Sequence, residues 1–357
     1  MSRAFCLGYT ESVTSDPVER YLLKASRVGR RARLRPMQLG ELFDLSMRVY
    51  RVLGWRILAA SAVPTVFSLA GFAFLLQYVM PGFASTTQGT SQQGQVAEAA
   101  INMLLGIFVA GPLILIGISM ATTYIAPLVS NFMHGLPPDY KAAQQAQWKS
   151  APRMLWVSIR ESLIAACGVL IGGLLLFLSW ILSKVTATND STAGVVLGIG
   201  WLAIVLGCLW TLVVVSVHAL VAPVASLENA SASDASKRSR GLMKSRPYQG
   251  SGYDSVWSLY GLILMLSLAL YFGAAALNNL IGVTDWAGAL DLRAFRPVIL
   301  GAANLAPIFV TLWVTVPVWA VTVTIIYFER RVRLEGYDIE ALAADLWQPV
   351  REDRLRA

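Results

Sequence analysis

Charge is what this sequence has least of. Only 14% of its 357 residues are Asp, Glu, Lys or Arg, against roughly a quarter in soluble domains, and that shortage excludes an ordinary cytosolic enzyme. Histidine is scarcer still, with two in the chain. Three cysteines, Cys6, Cys167 and Cys208, stand far apart without the CxxC or Cys/His spacing that zinc and iron–sulfur sites require, so neither a metal site nor a disulfide scaffold is expected. No GxxxxGK[ST], HExxH or GxSxG motif occurs, which removes the spacings that carry nucleotide, zinc-hydrolase and serine-nucleophile chemistry. Residues 1–35 lack the apolar stretch of roughly 7–15 residues that marks a signal peptide and read as a basic, disordered cytoplasmic tail.

Apolar residues fill the space left by charge. They make up 56% of the chain, with a mean hydropathy of +0.58. Six apolar runs lie at 54–80, 99–129, 157–183, 195–224, 256–283 and 298–328, each longer than the roughly 20 residues a helix needs to cross a bilayer. The expected fold is all-α: a polytopic membrane protein with six transmembrane helices over residues 36–328, followed by a cytoplasmic C-terminal segment, 329–357, with a short amphipathic helix.

The few cations are placed unevenly. Of the 29 Lys and Arg, 26 fall in residues 1–56, 130–160, 225–255 and 329–357, leaving only Lys184, Arg293 and Arg296 in the alternate connections. By the positive-inside rule this asymmetry sets both termini in the cytoplasm, in a plasma membrane of bacterial inner-membrane type. Because the cations are spread over every cytoplasmic segment instead of forming one module, nucleic acid is not an expected partner. The expected partners are a bilayer with anionic headgroups and an unidentified membrane or cytoplasmic protein.

Residues 38–52 predict an amphipathic helix. Leu39, Leu42, Phe43, Met47, Tyr50 and Leu53 recur at helical spacing, with Glu41, Asp44, Arg48 and Arg51 on the other face. Such a helix suits the headgroup layer, and Asp44 and Arg48 form an i,i+4 pair worth a few tenths of a kcal/mol. Comparable segments at 137–153 and 229–246 precede Trp156 and Trp257, as 38–52 precedes Trp55. Pro127, Pro223 and Pro317 sit near the end of the second span of each unit. The pattern reads as three hairpin repeats of about 100 residues; the general enrichment of Trp and Pro in membrane proteins is the competing reading.

Candidate sites are sparse. His218 lies in the fourth span with no Asp or Glu accompanying it, which favours interhelical hydrogen bonding over a proton relay. Arg160 and Glu161 read as an interfacial pair, since Ser162–Ser183 suffices to cross. Asn278, Asn279 and Asn304 fall at similar depth on neighbouring antiparallel spans, as interhelical glue or as the lining of a polar cavity. GxxxG occurs at Gly168/Gly172 and Gly194/Gly198, a pattern for close packing within the chain. The exit of the last span carries Arg330, Arg331, Arg333, Glu335 and Asp338, an arrangement suited to a helix C-terminus and to a fixed ion-pair network, with Gly336 as the stop.

Those residues, with Arg35-Pro36-Met37-Gln38-Leu39-Gly40-Glu41 and Tyr327-Phe328-Glu329-Arg330-Arg331-Val332-Arg333-Leu334-Glu335-Gly336-Tyr337-Asp338 at the two ends and Glu228 with Ala235–Ser239 between them, carry a resemblance. The chain resembles bacterial multi-pass proteins related to the glycerophosphoryl diester phosphodiesterase membrane domain. The resemblance implies a membrane module without the catalytic barrel, and no substrate or site residue follows from it. The expected function is a non-enzymatic membrane module, a scaffold or assembly partner for envelope or lipid-related proteins, with no cofactor. A transporter or lipid-handling protein is the alternative, and a deep polar cavity would distinguish the two.

Overall fold

The computed structural model describes residues 37, 39–79, 93–185, 190–243, 252–282 and 296–337. Among these there is no strand, and they form eight α-helices. They are α1 (Leu39–Phe74), prolonged by a wider turn Leu75–Val79, α2 (Gln93–Met133), α3 (Tyr140–Val185), α4 (Asp190–Val217), α5 (Val221–Leu227), α6 (Ala232–Met243), α7 (Gly252–Ile281) and α8 (Arg296–Glu335).

Among the described residues, five stretches are long and apolar enough to span a membrane: Gly40–Gln77, Phe108–Met133, Gly198–Leu227, Val256–Ile281 and Ala303–Glu335. The remaining expected span, 157–183, lies inside α3, an uninterrupted helix of 46 residues that rises roughly 69 Å at 1.5 Å per residue. The polar start of α3 and the apolar run after it therefore share one rod.

The amphipathic segment and the first span are joined in α1 and divided by a kink at Gly54, whose φ of 41° and ψ of −127° suit a residue without Cβ. The stripe before the kink differs from the expected one. Leu42, Leu45, Val49 and Leu53 are buried, while Phe43, Met47 and Tyr50 are half-buried. The cause is tertiary: this half of α1 docks on α2 and α8, so protein, not only a headgroup layer, selects its buried face. Glu41, Asp44, Arg48 and Arg51 are exposed on the opposite side, as their spacing predicts.

One buried cluster holds the basic end together. It combines Leu42 to Ile57 of α1, Tyr124 to Met133 of α2, Met154 and Val157 of α3, Leu220 to Ala225 around α5, Leu242 and Met243 of α6, and Ala320 to Phe328 of α8. Full burial of side chains such as Ile125 and Tyr327 contributes about 1.5–3 kcal/mol each where water is the alternative. Close approach depends on small residues. At Gly117 of α2 an added Cβ would stand 2.5 Å from Pro64 O of α1, and at Gly172 of α3 it would stand 2.7 Å from Ile204 N of α4. The first GxxxG thus packs within the chain, whereas Gly198 of the second faces open space.

Neighbour contacts run in an arc: α4 packs on α3, α3 on α2, α2 on α1, α1 on α8 and α8 on α7, with α8 also crossing α2. The two ends of the arc, α4 and α7, barely touch. Helix α7 is the most exposed, with 6% of its most apolar stretch buried.

Candidate functional site

The fourth apolar run does not continue as one helix. α4 stops at Val217, and α5 begins at Val221. Pro223 lacks the N–H that would reach back to Ala219, and the turn before it tightens: Ala219 N donates to Ser216 O at 3.3 Å and Val221 N to His218 O at 3.0 Å. The Val217 carbonyl, freed by that shift, accepts instead from Ser239 Oγ of α6 at 2.8 Å. This is how a broken helix keeps its backbone satisfied at depth, and it places His218 at the break.

Beside the break lies a cavity of about 270 Å³. Its walls come from α1 (Phe72), α2, α3, α4, the α4–α5 break, α7 and α8, and are mostly apolar. Its polar lining comprises Ser119, Thr122, Ser267 and Thr315 together with Glu161 of α3, His218, and Tyr260 of α7. The last three stand apart. Each carries a buried atom without a hydrogen-bond partner among the described residues, namely Glu161 Oε1, His218 Nε2 and the Tyr260 hydroxyl. His218 is 9% exposed. Its Nδ1 lies 2.8 Å from Val214 O; a carbonyl only accepts, so Nδ1 holds the proton and Nε2 of the neutral ring is an acceptor. Tyr260 stacks on Trp319 of α8 with ring centroids 5.0 Å apart, and its hydroxyl lies near Ser216, whose own proton goes to Leu212 O at 2.7 Å. Arg160 and Arg240 stand close enough to act on both Glu161 and His218 by charge.

One expectation is corrected here. Glu161 lines the cavity, with Arg160 acting on it by charge, so His218, expected to have no acid accompanying it, shares that space with a carboxyl group. The two residues lie 57 positions apart, so no sequence spacing announces the pair. Tyr260 was not singled out from sequence at all, because a Tyr near a Trp at a span's start is ordinary in membrane helices.

A second polar cluster lies at the basic end, around the C-terminus of α8. Tyr327 donates to Glu228 Oε1 at 2.8 Å, and Arg331 donates to Tyr327 at 3.3 Å and to Glu335 at 3.2 Å. Arg238 of α6 pairs with Glu335 at 2.6 Å and with Glu228 at 3.4 Å. Partial burial opposes its charge, but the hydrogen bond to Glu335 and the charges of Glu228 and Glu335 raise the Arg238 guanidinium above its ordinary value. Glu329 is buried between Arg330, at 3.5 Å, and Arg333. Arg333 also donates to Met37 O at 2.7 Å, which ties the start of the described chain to its end. The Arg331 guanidinium sits 4.0 Å above the Tyr337 ring, and His134 at the end of α2 approaches Tyr337 Oη at 3.1 Å. Gly336, with φ of 65°, stops α8. Asp338 lies outside the described residues.

The asparagines divide. Asn278 Nδ2 donates to Ala303 O at 3.4 Å, bridging α7 and α8, whereas Asn279 and Asn304 are exposed. None of the three lines the cavity. Among the described residues no group of three or more His, Cys, Asp and Glu is placed to hold a metal ion. No protein-family model, curated protein or solved structure matches this chain.

Proposed function

We propose that this chain is a lipid-handling protein of a bacterial inner membrane, with six spans, both termini in the cytoplasm, and an intramembrane cavity that holds an amphiphile. One observation carries the reading: three polar atoms with no partner converge on a single apolar cavity beside a broken helix. Burying an unsatisfied polar group costs about 1–3 kcal/mol, so three such groups in one place point to a ligand that completes them. A scaffold has no use for that arrangement. The asymmetry of 26 cations against three supports the orientation, the apolar run in α3 supports the sixth span, and the end motifs resembling the phosphodiesterase membrane domain support a membrane module. The exposed cations Arg48 and Arg51 suit anionic headgroups.

The test is the lipid inventory of the protein taken from native membrane in a polymer-bounded disc and read by mass spectrometry. Wild type should retain a lipid class enriched over the surrounding bilayer. Glu161→Leu should lose about tenfold or more of that enrichment, because a hydrogen bond to a charged group contributes about 1.5–3 kcal/mol. Equal inventories for wild type, Glu161→Leu and bulk membrane would remove the lipid-handling reading and favour a scaffold.

A further inference from the structure

The cavity has an address as well as a chemistry. The two ends of the arc, α4 and α7, barely touch although both line the cavity, α4 through Val214 and Val215 and α7 through Tyr260, Ile263 and Ser267. The outer surfaces beside that seam are apolar: Leu209 and Val213 on α4 and Leu264 and Leu268 on α7 are exposed. At about 270 Å³ the cavity falls below the roughly 300–1,000 Å³ of pockets that enclose a whole small molecule. A lipid can place only its polar head there, and the seam is where its chains would leave.

The polar atoms specify the head. His218 Nε2 is an acceptor because Nδ1 is committed to Val214 O; Glu161 accepts only once a bound cation draws off its proton, and a tyrosine hydroxyl can accept. A primary ammonium carries three donors and no acceptor, one for each of the three unpartnered atoms. Arg160 and Arg240 act on the same region by charge, which suits a head that also carries an anionic phosphate.

We infer that the seam between α4 and α7 is a lateral portal through which a phospholipid bearing a primary ammonium seats its head among Glu161, His218 and Tyr260 while its acyl chains stay in the bilayer. The inference rests on the lipid-handling reading and adds a route and a headgroup to it.

The experiment uses the full chain in phosphatidylcholine vesicles doped with one of two probes, phosphatidylethanolamine or phosphatidylcholine, each with a photoactivatable diazirine beside the headgroup. Labelled positions are read by peptide mass spectrometry. The ethanolamine probe should label cavity-lining positions about fivefold or more above the choline probe, whose trimethylated nitrogen has no donor. Val215→Trp and Ser267→Trp, which add bulk to the cavity wall on its α4 and α7 sides, should each reduce that labelling by a similar factor, while Leu280→Trp, on an 85% exposed position, should leave it unchanged. Tyr260→Phe removes a single hydroxyl, should lower the ratio between the probes, and gives a reading even where a Trp variant fails to fold. Cavity labelling by neither probe would overturn the lipid-handling reading itself. Equal cavity labelling by both would overturn the ammonium assignment alone, and undiminished labelling in both Trp variants would overturn the portal.

Discussion

The two polar clusters of this protein are built from the same residue types and treat them oppositely. At the basic end, Glu228, Arg238, Tyr327, Arg331 and Glu335 come from three separate stretches of chain and complete one another's hydrogen bonds. In the cavity, Glu161, His218 and Tyr260 come together and leave three atoms unmatched. A network that is closed within the protein fixes geometry, whereas one left open is a demand on something outside it. The paired residues of the first cluster therefore read as the clasp of the fold, although Glu329 Oε2 beneath them also lacks a hydrogen bond among the described residues, and the second cluster, gathered on a cavity, reads as its site.

The largest expected effect lies where the clasp is deepest. Glu329 and Arg330 are 2% and 3% exposed on their side chains, so Glu329→Ala removes a carboxylate paired with a buried guanidinium, a change that typically costs about 3–5 kcal/mol. Thermal unfolding followed by loss of monodisperse protein should register it as a severe loss. A variant as stable as wild type would show that the clasp does not hold the bundle.

Next in size is helix contact. Gly117→Val forces a side chain against Pro64 O and Ser68 of α1, and overpacking of this kind costs about 1–3 kcal/mol. Gly198→Val meets nothing within 4 Å and should be close to neutral in the same unfolding assay. Similar losses for both would mean that glycine acts through the helix backbone and not through the α1–α2 contact.

The two tyrosines give the sharpest contrast. Tyr327→Phe removes the donor to Glu228 and should cost about 0.5–1.5 kcal/mol, the usual net worth of a hydrogen bond. Tyr260→Phe deletes a hydroxyl that has no partner among the described residues and should leave stability unchanged or raised when measured in detergent without added lipid. A destabilised Tyr260→Phe would show that the cavity is closed by contacts of its own.

The sequence made the fold legible wherever one segment carried its own signal. Apolar length located five spans, the 3.6-residue period located the first half of α1, and Gly336 marked the end of α8. What escaped depended on which segments meet. The buried face of α1 is Leu42, Leu45, Val49 and Leu53 because α2 and α8 cover it, and no local period can name a neighbour. The cation-rich exit of α8 announced its ion pairs, because Arg and Glu stand four apart on one helix. The cavity gave no such notice: Glu161 looked interfacial by chain length alone, and only the packing of α3 turns it toward His218. Charge patterning reads what faces water, while a site within the bundle is assembled by tertiary contact.

The smallest expected effect tests whether the clasp is uniform. Arg238 joins Glu228 and Glu335, yet 38% of its side chain is exposed, so water can replace much of what Arg238→Ala removes, and the loss should be about 1 kcal/mol or less. High salt should shrink the difference between variant and wild type, since exposed pairs are screened over distances of about 8–10 Å at moderate ionic strength. Glu329→Ala should keep its full effect in the same salt, because a buried pair is screened far less. Unfolding temperatures of the two variants at low and at high salt provide the measurement. If Arg238→Ala proved as costly as Glu329→Ala and equally indifferent to salt, the outer ion pairs would belong to the buried core, and stability at this end of the bundle would follow connectivity of the network and not depth.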